Sequence, residues 1–188
     1  MGEYFLQSLR FGFRCWRDVD LPLAINLWCD PAVTRYIAAR GYTEHDVRIR
    51  LQNEIDAQRR YRMQYWPIFL LATGEHIGCC GLRPRENQPE IPELGVHVVP
   101  RHWQQGYAFE AASRVIAHAF TLDGVRALFA GHNPDNAASR RLLSRLGFVH
   151  TGDQFYVPTG LQHPSYLLTR PTHGGADAAL EPEHARLL

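Results

Sequence analysis

The segment that follows Val99 has the residue types and spacing of a phosphate-binding turn. A strand that ends at Val99 and Pro100 leads into a short basic loop, and Gly106 stands where a helix begins. The N–H groups in the first turn of a helix lack intrahelical partners and face an anion, and glycine lets the backbone approach that anion closely. Arg101 adds a formal charge nearby. Because turns of this kind also occur for packing alone, two interpretations stand, a phosphate site or a packing feature.

Other residue types exclude several classes of chemistry. The turn lacks the Gly-Lys-Ser/Thr ending of a P-loop and the three glycines of a dinucleotide fingerprint, so neither a metal-bound triphosphate nor NAD is expected. All 20 basic residues are Arg, which excludes a lysine-based mechanism. They are balanced by 19 acidic residues and form no basic block for nucleic acid. The four cysteines have no metal-ligand spacing, so no metal is predicted.

The setting that these features predict is cytoplasmic. No charged stretch followed by an apolar run marks a signal peptide at the N-terminus, and no apolar stretch approaches the roughly 20 residues that span a bilayer. We therefore expect a soluble protein that uses neither a membrane nor a nucleic acid. Cys79 and Cys80 are adjacent in a strand-like run, so we expect buried free thiols on opposite faces of a sheet.

The elements that must position the turn follow from hydrophobic periodicity and from capping residues. The firmest is a helix that opens at residues 104–108, because its apolar residues from Ala108 to Ala119 repeat at helical spacing. Thr43 and Asp46 form a capping box for another helix, and Gly147 suits the left-handed end of a third. The patterns predict strands over residues 8–16, 66–73, 76–83, 93–99, 125–131, 148–157 and 165–170, and helices over residues 18–29, 43–60, 104–119 and 136–146.

Two segments carry a resemblance to a known family. The first is VPRHWQQGYAFEA, residues 99–111, and the second is NPDNAASRRLL, residues 133–143, followed by Leu146-Gly147-Phe148. Together they resemble the GNAT superfamily of N-acyltransferases, and within it the branch that acetylates ribosomal-protein N-termini. The resemblance implies an α/β (α+β) fold. Its mixed, mostly antiparallel sheet has about seven strands flanked by about four helices and is splayed at the cofactor site. The resemblance covers residues 8–170, so we predict one domain over residues 1–170 and a flexible tail over residues 171–188.

The resemblance also implies how acetyl-CoA is bound as co-substrate. Main-chain groups of Val98 and Val99 would pair with the pantetheine arm and polarise the thioester carbonyl. Trp103 belongs to the predicted cofactor-binding loop, at the position three residues before the glycine where the family often has Arg or Gln; this departure affects a side-chain contact to phosphate and leaves the backbone contacts intact. Asn136 either contacts the CoA arm or only caps its helix. The N–H groups that would hold the pyrophosphate belong to Gln104, Gln105, Gly106, Tyr107 and Ala108.

Three residues are candidates for proton transfer. Glu93 matches the Glu-Leu/Ile-Gly pattern of the family and is the first candidate for the base; the alternative is a solvated carboxylate at the strand end. His97 lies on the same face by strand alternation and is either a second base or a structural histidine. Ser139 occupies the position, eight residues before Gly147, where terminal-amine acetyltransferases have a serine that protonates the leaving thiolate.

The predicted reaction is direct transfer of an acetyl group to a primary amine in a ternary complex. An α-amine with a pKa near 8 costs about 1.4 kcal/mol to deprotonate at pH 7, against about 4.6 kcal/mol for a lysine-like amine. A weak base acting through water therefore suits a protein or peptide N-terminus, which is the favoured acceptor. A small-molecule amine and a non-catalytic acyl-CoA-binding module are the alternatives. We expect a monomer or a homodimer.

Overall fold

The computed structural model describes residues 4–85 and 87–171. Within these residues one sheet of eight strands carries helices on both faces. The strands are β1 (Leu6–Gln7), β2 (Phe11–Phe13), β3 (Tyr65–Leu70), β4 (His76–Arg83), β5 (Glu93–Val98), β6 (Ala127–Gly131), β7 (Val149–Tyr156) and β8 (Leu161–Thr169). The α-helices are α1 (Leu21–Trp28), α2 (Pro31–Thr34), α3 (Glu44–Tyr61), α4 (Tyr107–Ala119) and α5 (Ala137–Arg145).

The sheet has one parallel pair, and that pair is where it opens. Its strand order is β1-β2-β3-β4-β5-β6-β8-β7, and every neighbouring pair except β5 with β6 is antiparallel. The β5–β6 ladder contains a single residue pair, Glu93 with Phe129, whereas β5 pairs with β4 along its whole length. The strands therefore diverge beyond Glu93, which confirms the mixed, splayed sheet.

The predicted first strand over residues 8–16 is too long, because only Phe11–Phe13 forms a strand and residues 8–10 make the turn of a hairpin. Strands β1 and β2 pair through Leu6 with Phe13 and enclose a tight turn. Ser8 is held in that turn, since its N–H donates to the carbonyl of Phe11 and its hydroxyl donates to Glu110 on α4. A partner 102 residues away thus bends a run that alternates like one continuous strand.

Local capping chemistry sets most helix ends where the sequence predicts them. Thr43 and Asp46 form the expected capping box at the start of α3, and Gly147 has a φ of 85° after α5. Helix α4 begins at Tyr107 instead of at Gln104, because Gln104 and Gly106 have φ angles of 61° and 76° that a helix cannot accommodate.

The two faces of the sheet carry different helices. Helices α1, α2 and α3 pack on one face, and α4 and α5 pack on the other. Cys79 and Cys80 are both buried and belong to the two opposite cores, as predicted from strand alternation. The core below α4 and α5 includes Cys80, Leu94, Ala111, Val115 and Leu143, and the core below α1 to α3 includes Trp28, Val47, Leu51, Tyr65, Cys79 and Val99.

None of the described helices is both long enough and apolar enough to cross a membrane. Apart from Pro171, the predicted tail over residues 171–188 lies outside the described residues.

Candidate active site

The loop between β5 and α4 has the conformation of an anion-binding turn. A single 3₁₀ turn over Pro100–His102 leads to Gln104 and Gly106, which are both left-handed, and Gly106 is the N-cap of α4. Gly106 has no side chain to offer as a cap, so the N–H groups of the first turn remain available to a ligand. At 13 residues, α4 is long enough to present a macrodipole at this end.

Arg10 reaches this loop from the β1–β2 hairpin. Its Nη1 donates to the carbonyl of Gln105 at 3.2 Å, and its guanidinium lies 4.4 Å from the centre of the Tyr107 ring. An ion pair of 2.6 Å between Nε and Glu110 holds the side chain in place. The hairpin therefore brings a positive charge to the loop at a position that sequence motifs do not mark.

The side chains of Trp103 and Arg101 are engaged in contacts within the protein and not in contacts that would hold a phosphate. The indole of Trp103 donates to the carbonyl of Val98 at 2.6 Å and so braces the loop against β5. Arg101 pairs with Glu75 at 2.8 Å, and His102 contacts the same carboxylate at 3.0 Å. The tryptophan that stands in place of the family's Arg or Gln thus has a structural role, because its indole joins the loop to β5.

The main chain of β5 beyond Glu93 faces the gap left by β6. The N–H of Val99 donates to Ile77 on β4, so strand alternation directs the main-chain groups of Val98 and Val96 to the opposite side, toward the gap. The carbonyl of Val98 is already bound by Trp103. The N–H of Val98 and the main chain of Val96 are therefore the polar groups that an extended ligand in the gap would meet.

Glu93 lies where β5 and β6 begin to separate, and Tyr65 positions its carboxylate. The Tyr65 hydroxyl donates to Glu93 Oε1 at 3.0 Å. The ring of Tyr65 can cross β5 only because residue 95 is glycine, since a Cβ at Gly95 would lie 2.2 Å from the ring. Desolvation, and then the charge of Glu93, raise the pKa of Tyr65 well above its ordinary value, so the phenol stays a donor.

His97 is half-buried on the same face as Glu93. Its Nδ1 accepts from the indole of Trp28 at 3.2 Å and lies 3.6 Å from the Cys79 sulfur, while its ring packs edge-on against Tyr65. Desolvation, and then the charges of Arg50 and Arg83, lower the pKa of His97 well below its ordinary value. The ring is therefore neutral, with its proton on Nε2, and the nitrogen that could accept a proton is occupied.

Asn136 and Ser139 lie at the start of α5, on the other face of the sheet. The side chain of Asn136 accepts from the N–H of Ser139 at 3.1 Å, so the residue caps α5. The Asn136 amide nitrogen still has donors to offer. The hydroxyl of Ser139 has no hydrogen-bond partner among residues 4–85 and 87–171.

A wall of aromatic and charged side chains continues from Glu93 toward α3. The guanidinium of Arg50 lies 4.4 Å from the centre of the Trp28 ring and donates to the Tyr42 hydroxyl at 3.3 Å. Tyr42 also lines a surface pocket of about 350 Å³ formed by α2 and the loop that follows it. Arg50, Trp28, His97, Tyr65 and Glu93 thus follow one another in contact along the face that carries α1 to α3.

The aromatic residues near the site lie on different faces of the sheet. Tyr42 is in this wall, whereas Trp66 is buried in the core on the opposite face with its ring against Phe5 and His118. Trp66 is therefore a core residue and does not line the face that carries Glu93. Tyr36 stacks under Arg35, on the segment that borders the surface pocket.

A family model described as an acetyltransferase (GNAT) domain matches residues 10–149. The chain belongs to the GNAT acetyltransferase family. As a GNAT member it is an acetyl-CoA-dependent N-acetyltransferase, and the left-handed loop before α4 and the gap beside β5 fit this co-substrate.

Named relatives agree with this assignment. The chain is 28% identical over 171 residues to the uncharacterized N-acetyltransferase YoaA of Bacillus subtilis (strain 168), covering 88% of this chain and 97% of YoaA. It is 28% identical over 148 residues to the uncharacterized N-acetyltransferase p20 of Bacillus licheniformis, covering 78% and 83%. A solved structure of the ribosomal L7/L12 α-N-protein acetyltransferase RimL with coenzyme A superposes with a TM-score of 0.73 at 16% identity, covering 86% and 95%.

Four residues at this GNAT site were not among the sequence-predicted candidates. They are Arg10, Arg50, Tyr65 and Tyr156, the last of which has its pKa raised by desolvation and then by the nearby charge of Glu93. Only Tyr65 has a sequence signal, because a glycine inside a strand, here Gly95, indicates that another group approaches closely. The other three are brought to the site by tertiary contacts alone.

Proposed function

We propose that this enzyme acetylates the N-terminal α-amine of a protein or peptide. The observation that carries the proposal is the position of Glu93 at the point where β5 and β6 separate, on the face opposite the α4 loop. Acetyl-CoA would approach from the α4 and α5 side and the amine from the α1 to α3 side, so the two substrates would meet in the gap. The structural likeness to RimL supports the same class of acceptor.

In this proposal, main-chain groups hold the co-substrate. The N–H groups of Gln104, Gln105, Gly106, Tyr107 and Ala108 bind the pyrophosphate, and Arg10 adds a charge at the loop. Val98 ends the strand that carries the pantetheine contacts, and its N–H faces the gap, whereas the N–H and carbonyl of Val99 are bonded to Ile77 and His102. The amide nitrogen of Asn136 is available to the CoA arm while its oxygen caps α5.

Proton transfer is divided between the two faces. Glu93 accepts a proton from the attacking amine, directly or through one water, as a C–N bond forms and the C–S bond breaks. The thiolate receives a proton from Ser139, whose hydroxyl is restored by a proton from solvent, and Glu93 releases the proton of the amine to solvent. His97 is a positioning residue, because its neutral ring supports Tyr65, which in turn holds Glu93. A positioned acid or base of this kind contributes about 10²- to 10⁴-fold to rate.

A reducing, cytoplasmic setting is part of the proposal. All four cysteines are free in the structure, and Cys79 and Cys80 are fully buried. Unpaired cysteines are usual where thiols are kept reduced.

Calorimetric titration with acetyl-CoA, followed by thiol release on addition of peptides and small amines, tests the proposal. We expect saturable binding and thiol release that depends on a peptide with a free α-amine. The variant with both Glu93→Ala and Ser139→Ala should lose turnover and keep its CoA affinity. Release with small amines alone would replace the peptide acceptor, and binding without release for any amine would favour a non-catalytic acyl-CoA-binding module.

A further inference from the structure

Among the described residues, no carboxylate pairs with the guanidinium of Arg50, in contrast to the nearby Arg83. Arg83, on the same face, pairs with Glu54 at 3.1 Å. In the part of the chain that the structure describes, Arg50 forms no ion pair, and its Nε is buried without a hydrogen-bond partner. Its contacts are the Trp28 ring and the Tyr42 hydroxyl, which orient the guanidinium and leave donors unused.

The position of Arg50 relates it to the acceptor side of the site. It lies at one end of the wall that runs through Trp28, His97 and Tyr65 to Glu93. The wall therefore ends in the Glu93 carboxylate on one side and in the Arg50 guanidinium, which has no ion-pair partner among the described residues, on the other. An acceptor that carried only an amine would be attracted to Glu93 and repelled by Arg50, whereas one that also carried a carboxylate would match both ends.

We propose that Arg50 binds a carboxylate of the acceptor, so that the preferred substrate is a peptide with an acidic residue close to its free α-amine. A guanidinium presents two parallel N–H donors to a carboxylate, and such charge-assisted pairs are stronger than neutral hydrogen bonds. Stacking on Trp28 limits the rotation of Arg50, which reduces the entropy lost on binding. This inference rests on the proposed N-terminal acetyltransferase function.

The test uses matched peptides that differ only in charge. In each pair, residue 1, 2 or 3 is Asp or Glu in one member and Asn or Gln in the other, and the α-amine is free. For the wild-type enzyme we expect kcat/KM to be about 10- to 100-fold higher for the acidic member of at least one pair. The ratio within a pair is informative even if a variant preparation is only partly active.

Three variants isolate the role of Arg50. Arg50→Gln should bring the ratio close to one, and Arg50→Lys should keep part of it, because the charge remains and the fork is lost. Arg48→Gln removes an exposed charge from the same helix and should keep the full ratio. A wild-type ratio near one, or an unchanged ratio in Arg50→Gln, would overturn the proposal.

Two further arms distinguish this proposal from the one on which it rests. Alanine and alaninamide form a pair that tests a free α-carboxylate, and an Arg50-dependent preference for alanine would keep the carboxylate site but replace the peptide acceptor. Titration of the same peptides into CoA-saturated enzyme measures binding without turnover. Tighter binding of acidic peptides that Arg50→Gln abolishes supports the site even if no thiol is released.

Discussion

At the residue scale, Tyr65 and Gly95 together fix the position of the Glu93 carboxylate. Tyr65 donates to its carboxylate, and Gly95 leaves room for the Tyr65 ring to cross the strand. Because the phenol remains protonated, it orients the carboxylate without competing for the proton of the amine. The proposed role of Glu93 as the base can be tested by a substitution that keeps the same shape.

Glu93→Gln should lower kcat by about 10²-fold or more, because the amide can still accept from Tyr65 but can no longer take a proton. The affinity for acetyl-CoA should stay unchanged, since the loop before α4, which is proposed to bind the pyrophosphate, lies on the opposite face. Thiol release and calorimetric titration measure the two effects. Asp123→Asn, at an exposed turn, is the charge control. Turnover of Glu93→Gln at the wild-type rate would exclude Glu93 as the base.

Arg10→Gln should weaken CoA binding about three- to tenfold, a modest effect because the Arg10 side chain is 39% exposed to solvent. Its kcat at saturating acetyl-CoA should be retained. Calorimetric titration gives the dissociation constants.

The Glu110→Gln variant distinguishes two possible causes of the weaker CoA binding expected in Arg10→Gln. If Arg10 acts by its charge on the phosphates, removal of its carboxylate partner should leave CoA affinity unchanged or improve it. An equal loss in both variants would mean that the ion pair only holds the hairpin against α4.

Strand pairing controls the site at the element scale. Tyr65 on β3 and Glu93 on β5 belong to strands separated by β4, and only the registers of two antiparallel ladders bring them together. A shift of either register by one residue would turn these side chains to the other face. The glycine at position 95 is the point at which this arrangement is most sensitive to substitution.

Gly95→Ala should reduce the free energy of unfolding by about 1 to 3 kcal/mol, because its Cβ would overlap the Tyr65 ring and force it to move. Turnover should fall as well, since the displaced phenol leaves Glu93. Urea unfolding measures the stability. Gly131→Ala is the matched control, because the nearest atoms to a Cβ there are 3.7 Å away. Equal stability of the two variants would contradict the crowding described at Gly95.

Proton binding couples the stability of the whole molecule to pH. His76 is buried between Trp16 and Phe69, and desolvation lowers its pKa from 6.5 to about 4. The unfolded chain therefore takes up a proton at a pH where the folded protein does not. Stability from this residue is present above pH 6.5 and is lost as the pH falls toward 4.

Wild-type protein should consequently lose about 2 kcal/mol more stability than His76→Phe between pH 7 and pH 4.5. Phenylalanine keeps an aromatic ring in the same site and cannot titrate. Urea unfolding at the two pH values gives the difference. His45→Gln, at an exposed position of α3, should follow the wild type. Parallel curves for wild type and His76→Phe would show that His76 stays neutral in both states.

The amino-acid sequence by itself determined the features that depend on near neighbours. The apolar stripe of α4, the capping box at Thr43 and the left-handed Gly147 each involve residues within a few positions of one another. Such patterns are readable because helical periodicity and capping are local. The GNAT fold and acetyl-CoA as co-substrate were predicted separately, from the resemblance of residues 99–111 and 133–143 to that family.

Only the tertiary structure decided which charges face the gap. Arg10 is 95 residues from the carbonyl it binds, and Tyr65 is 28 residues from Glu93. The hairpin that replaced the predicted first strand likewise depends on a bond from Ser8 to Glu110. These contacts exist only after the sheet has closed long loops and set its registers, so no spacing along the chain indicates them.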